Sequence, residues 1–337
     1  MAGTSEARDL AGQALGGSRV GERLRRFADE YRVEGAMLAA LILLCVVLSI
    51  IQPRFITAGN IRNVLWQVTA VGIIAIGQTL VILTGGIDLS VGGIAAFSAM
   101  IGGLLMTQGG GEHVVLGIVA TLLVGLLVGI VNGVIVAYGM LAAFIVTLGM
   151  RAITHSLTYV ASDAKSIVGL PDGYRAWGKG DLGGVPYYLI TFIALFVLGH
   201  ILLTRTKAGR FIYAIGSNEE AARLSGVNVR LYKVLPYALT GLLCAISALI
   251  LSGKLGAIDP DTGTDIELDT IAAVVIGGTS LFGGKGSLVG TLIGVFLIGV
   301  LSNGLNLLRV NAFWQGTAVG VVIILSVLIE RLSRKRS

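Results

Sequence analysis

The sequence predicts an all-α polytopic membrane protein with about ten transmembrane helices. Three observations carry this. Of its 337 residues, 55% are hydrophobic and 13% charged, against about 25% charged in an ordinary soluble domain. So few charges cannot cover a soluble globule this rich in apolar surface. Apolar runs recur at lengths near the roughly 20 residues that cross a bilayer. Glycine occurs 49 times and proline five, which suits long helices whose backbones approach through small residues. A soluble enzyme and a disordered chain are thereby excluded.

The elements follow in order. Residues 1–35 are polar, with six arginines among several acids, and lack a signal-peptide layout. They read as a cytoplasmic N-terminal extension with one short amphipathic helix near 20–34. Apolar runs follow at 36–52, 63–84, 91–107, 114–138, 142–160, 187–204, 234–252, 269–283, 287–307 and 312–330, within a membrane domain of 36–330. The runs at 91–107 and 269–283 are short and glycine-rich, so they are full spans, tilted, broken or re-entrant. A basic tail, 331–337, closes the chain. Cys45 and Cys244 lie in apolar runs and read as packing residues, and no metal-ligand spacing links the three histidines.

Most of the 25 Lys and Arg residues fall in 1–35, 205–233, 284–286 and 331–337. The positive-inside bias puts these segments, and both termini, in the cytoplasm. Six crossings before the 205–233 loop and four after it satisfy that parity. The loops 161–186 and 253–268 are then external and are candidates for contact with something outside.

Small residues recur at helical spacing in Gly125, Gly129 and Gly133, in Gly286, Gly290 and Gly294, and in Gly316 and Gly320. They predict close helix packing or a subunit interface. A weak internal echo links Gly85-Gly86, Asn132-Gly133 and Ala143-Phe144 to Gly277-Gly278, Asn303-Gly304 and Ala312-Phe313, as a duplicated transporter core would leave.

Chemistry is sparse. The segment Thr279–Gly286 comes nearest to a phosphate loop, but Thr279 stands where glycine belongs and Gly286 where Ser or Thr should follow Lys285. It reads as a tight turn, and the chain as one that binds no nucleotide. No nucleophile–base pair or metal-protease pattern is present, and no basic stripe with interleaved aromatics suggests nucleic acid. In the cytoplasmic loop, Ser217-Asn218-Glu219-Glu220 forms an S-x-x-E capping box. Ala221 and Ala222 favour helix, and Gly226 suits its stop. A helix of about two turns over 217–226, between basic flanks, reads as a docking element. In the fifth run Thr147, Arg151, Thr154, His155 and Thr158 share one helix face. Polar groups at membrane depth are costly unless they face protein or water. Gln78, Asn132, Asn303, Asn306 and Gln315 could line the same cavity or make helix–helix hydrogen bonds. Asp88, in a glycine-flanked turn, could cap the helix that starts near 89–91.

The stretches GQTLVILTGGIDLSVGG (77–93), AIGSNEEAARLSGVNV (214–229), ELDTIAAVVIGGTSLFGGKGSLVGTLIG (267–294) and LSNGLNLL (301–308) resemble the ribose-type sugar permeases of bacterial ABC importers, within the wider branched-chain/ribose permease superfamily. The resemblance spans about residues 36–330. It implies a cobalamin-importer-like (type II importer) fold and an alternating-access transport subunit for a sugar or sugar-like solute. It also implies a second permease copy or paralogue, a cytoplasmic ABC ATPase carrying the ATP and Mg, and a periplasmic or surface sugar-binding protein. Glu220-Ala221-Ala222-x3-Gly226 matches the start of the family's cytoplasmic EAA signature, while its hydrophobic-Pro end is displaced, Val234-Leu235-Pro236 arriving early. The rival reading, an ion-coupled secondary transporter, wants carboxylates inside the spans. Here only Asp88, in a turn, and Asp269, near the start of a span, come close.

The topology is testable by single-cysteine labelling in a chain freed of Cys45 and Cys244. Residue 220 should label only from the cytoplasmic side, and positions in 161–186 and 253–268 only from outside; external labelling at 220 contradicts the ten-span reading.

Overall fold

The computed structural model describes residues 32–107, 113–311, 314–321, 324 and 328. Most of the expected N-terminal extension with its helix, the basic tail and the Ala312-Phe313 half of the internal echo lie outside the described residues. The chain is a bundle of long helices: α1 (Arg32–Ile51), α2 (Ala58–Leu83), α3 (Val91–Thr107), α4 (Val114–Tyr138) and α5 (Ala143–Ser162). After them come a short α6 (Asp172–Lys179), α7 (Tyr187–Arg205), α8 (Lys207–Ser217), α9 (Glu219–Leu224), α10 (Val229–Leu255), α11 (Ile266–Ile276) and α12 (Leu288–Leu307). Residues 314–321 are again helical.

Among the described residues six helices are long and apolar enough to cross a membrane: α1, α2, α4, α7, α10 and α12. The tenth expected run, 312–330, lies in part outside the described residues; three others fall short for identifiable reasons. Helix α5 carries the polar stripe around Arg151. Helix α3 has 17 residues and α11 has 11, because each is broken. The run expected at 269–283 leaves the helix at Ile276 and becomes a glycine turn. In that turn Gly278, Gly283, Gly284 and Gly286 take positive φ, a region open to glycine at no steric cost.

Helices α2 and α10 form the interior, while the apolar face of α1 stays exposed. Close packing rests on glycine, as its spacing foretold. Gly125 and Gly129 of α4 lie against Gly241 and Tyr237 of α10, and Gly133 against Val234. Gly290 and Gly294 of α12 lie against Gly277 and Ala273, whereas Gly286, expected on the same helix, lies in the turn before it and packs on Thr279. Gly316 and Gly320 have nothing within 4 Å of a Cβ position, so the third glycine pair packs on nothing described here. Pro236 falls inside α10. The helix starts five residues earlier than its apolar run because Asn228 caps it, accepting from the Leu231 N–H at 3.2 Å.

At one end of the bundle, β1 (Ile167–Val168) pairs antiparallel with β4 (Ala257–Ile258). The two loops read as external are thus joined to each other. Ser166 donates to Asp259 at 2.6 Å, and this bond with the Asp261 N–H holds the Asp259 carboxyl below its ordinary range. A small hairpin, β2 (Asp181–Leu182) with β3 (Val185–Pro186), sits beside them.

Adding a side chain at Gly129 forces a Cβ onto the Tyr237 carbonyl. Gly129→Val should therefore cost about 1–3 kcal/mol, the range of core overpacking. Gly316→Val should leave the thermal midpoint of the purified protein unchanged; equal midpoints for both variants contradict this packing.

Candidate functional site

At the end opposite the β1–β4 pair, three chain segments are tied together by backbone. Helix α8 starts at Thr206, whose hydroxyl accepts from the Gly209 N–H at 3.2 Å. At its far end Gly216 sits so close to the Leu83 carbonyl, the last residue of α2, that any Cβ would overlap it. The same carbonyl accepts from the Gly284 N–H at 3.0 Å. Tyr213 of α8 donates to the Gly286 carbonyl at 2.8 Å. The end of α2, the turn 277–287 and α8 therefore form one knot.

Helix α9 follows directly. Its cap is Asn218, which accepts from the Ala221 N–H at 2.9 Å. Ser217, expected as the cap, is the last residue of α8 and donates to the Tyr213 carbonyl at 2.9 Å. An N-cap needs extended backbone, and the chain reaches it only at Asn218, with φ −161°. Glu220 does not reach back to close a box; it meets Arg223 at 2.7 Å through both carboxylate oxygens. The stop is as expected but tighter. Gly226 takes φ +82°, and the Gly226 and Val227 N–H groups donate to the Arg223 and Ala222 carbonyls, a Schellman ending. The helix is six residues long, close to the expected two turns but within narrower bounds than 217–226, and α8 before it was read only as loop. Ala222 is buried with Ile215 and Val229, and Glu219 pairs with Lys233. Glu220, Arg223 and Leu224 remain exposed, a mixed polar and apolar face.

Inside the bundle, two helices begin where membrane helices usually run on. The chain reaches α3 through the extended residues 85–90, and α11 through 259–265, with Asp265 in a left-handed conformation. Their N-terminal ends meet: Gly92 packs against the Gly263 carbonyl, and a Cβ there would stand 2.7 Å from Glu267 Oε2. Arg151 of α5 brings its guanidinium 2.7 Å from Glu267 and 3.7 Å from Asp265. Glu267 is buried, whereas 41% of the Arg151 side chain is exposed. His155 lies 3.8 Å from Asp261. A cleft lined by Gly92, Gly93, Arg151, His155, Thr264 and Glu267 results.

The expected polar set is distributed over three places rather than one cavity. Arg151 and His155 reach this cleft. The threonines of the same stripe do not: Thr147, Thr154 and Thr158 are buried and donate to carbonyls four residues back at 2.7–2.9 Å. They face the glycine-rich start of α3, where Thr154 occupies the space beside Gly93. A second cluster holds Asp88, Ser90 and Asn132. Asp88 accepts from the Ser90 N–H at 2.9 Å, so it braces the residue before α3 rather than the helix itself, and Asn132 donates to the Ser90 hydroxyl at 2.8 Å. Gln78 is buried on α2. A third place pairs Asn303 with Asn60 through reciprocal 2.9 Å amide bonds, and Asn306 accepts from Gln315 at 2.8 Å. Sequence reasoning missed Glu267 as a site residue and assigned it to an external loop. Its signal was present: an acid opening a short apolar run, where a helix N-terminus favours negative charge.

Residues 60–327 match the family model described as the permease component of branched-chain amino acid transport systems. The chain is similar to the ribose import permease RbsC of Bacillus subtilis, 46% identical over 86% of this chain and 90% of that protein. It is also similar to RbsC of Escherichia coli K12, 41% identical over 91% and 96%. The fructose import permease FrcC of Rhizobium meliloti is 39% identical over 88% and 86%. No solved structure matches the chain. With a family model covering most of its length and relatives this similar end to end, the chain belongs to the family of membrane permease components of branched-chain amino acid transport systems.

Proposed function

We propose that this chain is the membrane-spanning permease subunit of an ATP-driven importer for a monosaccharide or sugar-like solute. A separate cytoplasmic ABC ATPase hydrolyses the nucleotide, and a periplasmic or surface binding protein delivers the solute. Two permease copies, or this chain and a paralogue, face each other, with ten spans and cytoplasmic termini in each. The ribose and fructose permeases named above support the solute class.

The observation that carries the reading is the α8–α9 unit. A docking element must stand outside the bundle, and Glu220, Arg223 and Leu224 do. It must also be coupled rigidly to the helices it moves, and the Gly216–Leu83–Gly284 knot supplies that coupling. Movement of the ATPase against α9 then reaches α2, which leads to the break before α3, and the turn 277–287, which follows α11. Both breaks converge on the cleft at Gly92 and Glu267. Opening one side of a bundle while closing the other needs elements with two stable arrangements, and broken helices supply them. An ion-coupled carrier would use a free interior carboxylate; Glu267 is faced by Arg151, whereas Asp88 is buried with Oδ2 unpartnered among the described residues, so the energy source of uptake decides between the two readings.

The test is uptake and ATP hydrolysis by the permease reconstituted with its ATPase and binding protein. Glu220→Lys, or Gly226→Val at its positive φ, should lower both by about tenfold or more, the scale of losing an interface anchor, with membrane insertion intact. Wild-type uptake in both variants contradicts the docking role; uptake without ATP but driven by an ion gradient favours the secondary transporter.

A further inference from the structure

Beside α9 lies a cavity of about 510 Å³, within the roughly 300–1,000 Å³ of small-molecule sites. The cleft at Gly92 offers about 30 Å³, room for one water. Three walls enclose the larger space. Gly85 and Gly86, at the break before α3, present backbone without side chains. Val136 and Ala137, from the end of α4, and Leu141 after it form an apolar wall. Helix α5 opens at Ala142 and Ala143. Ala142 has no side-chain acceptor, so the first amides of α5 find no partner in their own helix or its cap. Two further observations concern what fills the cavity. Tyr237 of α10 is 1% exposed, and its hydroxyl has no hydrogen-bond partner among the described residues. It lines the cavity and stands so close to Gly86 that a Cβ there would overlap it. A buried hydroxyl is costly to leave unpaired. At the rim the half-exposed Glu219 of α9 meets Lys233 of α10 at 2.5 Å. The one acid and the one base of the lining are thus spent on each other, and the cavity carries no free charge.

We infer that this cavity is a holding chamber of the permease for a neutral polyhydroxyl solute of the sugar class, occupied as the solute passes α9. The inference rests on the importer reading above. A sugar turns its C–H face to Val136, Ala137 and Leu141. Its hydroxyl edge meets Tyr237, the Gly85–Gly86 backbone and the first amides of α5. Hydroxyls donate and accept, so they satisfy both kinds of group. A simple ion leaves the apolar wall unused, and an apolar molecule leaves the Tyr237 hydroxyl unpaired. A zwitterion must prise Lys233 from Glu219 before either can serve it, whereas a neutral solute leaves that pair intact. The same pair joins the rim to α9, so displacement of α9 moves the mouth of the chamber.

The experiment places one cysteine in the chamber wall, Ala143→Cys, in a chain with Cys45 and Cys244 replaced by alanine, within the assembled importer in inside-out membrane vesicles. Labelling by a small polar thiol reagent is followed with D-ribose, D-fructose, L-leucine or sodium chloride added. Whichever of the two sugars the importer takes up should slow labelling, and L-leucine and the salt should not. Tyr237→Phe should raise the sugar concentration needed for half-protection about fivefold, the scale of one neutral hydrogen bond. It should not lower the thermal midpoint, because the hydroxyl bonds nothing in the protein; a purely structural hydroxyl would lower it. Val136→Trp, which fills the chamber from a half-buried position, should abolish protection and serves where Tyr237→Phe fails to assemble. Protection unchanged in both variants overturns the chamber, as does an importer that takes up sugar while neither sugar slows the label. L-leucine slowing the label as the sugars do overturns the solute class. An importer that takes up neither sugar contradicts the importer reading, and the chamber with it.

Discussion

The contact on which the rest depends is the approach of Gly216 to the carbonyl of Leu83. A helix tip, a helix end and a turn meet there with no side chain between them. Backbone groups supply most of the bonds: the Leu83 carbonyl accepts from Gly284, and the Gly286 carbonyl accepts from the Tyr213 hydroxyl. Gly283 and Gly284, at φ +83° and +73°, turn the chain sharply enough to present those groups. Any larger residue at 216 would push α8 away from α2, and the outward helix α9 would then move without moving the bundle. Direct backbone contact is stiff because it has few rotamers to absorb a displacement.

The broken helices are the other half of the device. A continuous membrane helix satisfies its own backbone and resists bending, whereas a break exposes backbone groups that must find partners in protein or water. Here the break before α3 is braced by Asp88, Ser90 and Asn132, and the break before α11 by Arg151 acting on Glu267. Polar side chains are thus spent where the backbone is interrupted. Thr147 of α5 also serves the break before α3, donating to the Ile87 carbonyl at 3.1 Å, while Thr154 and Thr158 bond to their own helix.

Much of this was legible in the sequence. Composition gave the membrane class, and glycine spacing named Gly125, Gly129 and Gly133 as a packing face, with Gly241 of α10 as its unforeseen partner. The two short glycine-rich runs were marked as irregular, and the S-N-E-E stretch as the start of an outward helix. The cap was misplaced by one residue because Ser217 and Asn218 are both good caps, and only the preceding helix decides between them. That helix, α8, was missed because it is short and holds two glycines; Lys207 and Arg210 mark its exposed face, and Gly209, Ile212 and Ile215 its buried one. The stripe on α5 was read as one surface because its spacing is helical. Burial then divided it by length, since short threonines fit against Gly93 while Arg151 and His155 reach past it. Glu267 escaped notice because a loop that enters the bundle looks, in sequence, like a loop outside it.

The most direct measurement is the amount of solute taken up per ATP hydrolysed by the reconstituted importer carrying Gly216→Ala, against Gly59→Ala, whose Cβ would meet nothing within 4 Å. The account predicts that Gly216→Ala keeps the ATPase bound and hydrolysing while uptake per ATP collapses, and that Gly59→Ala matches the parent. Parental uptake per ATP in Gly216→Ala would contradict it.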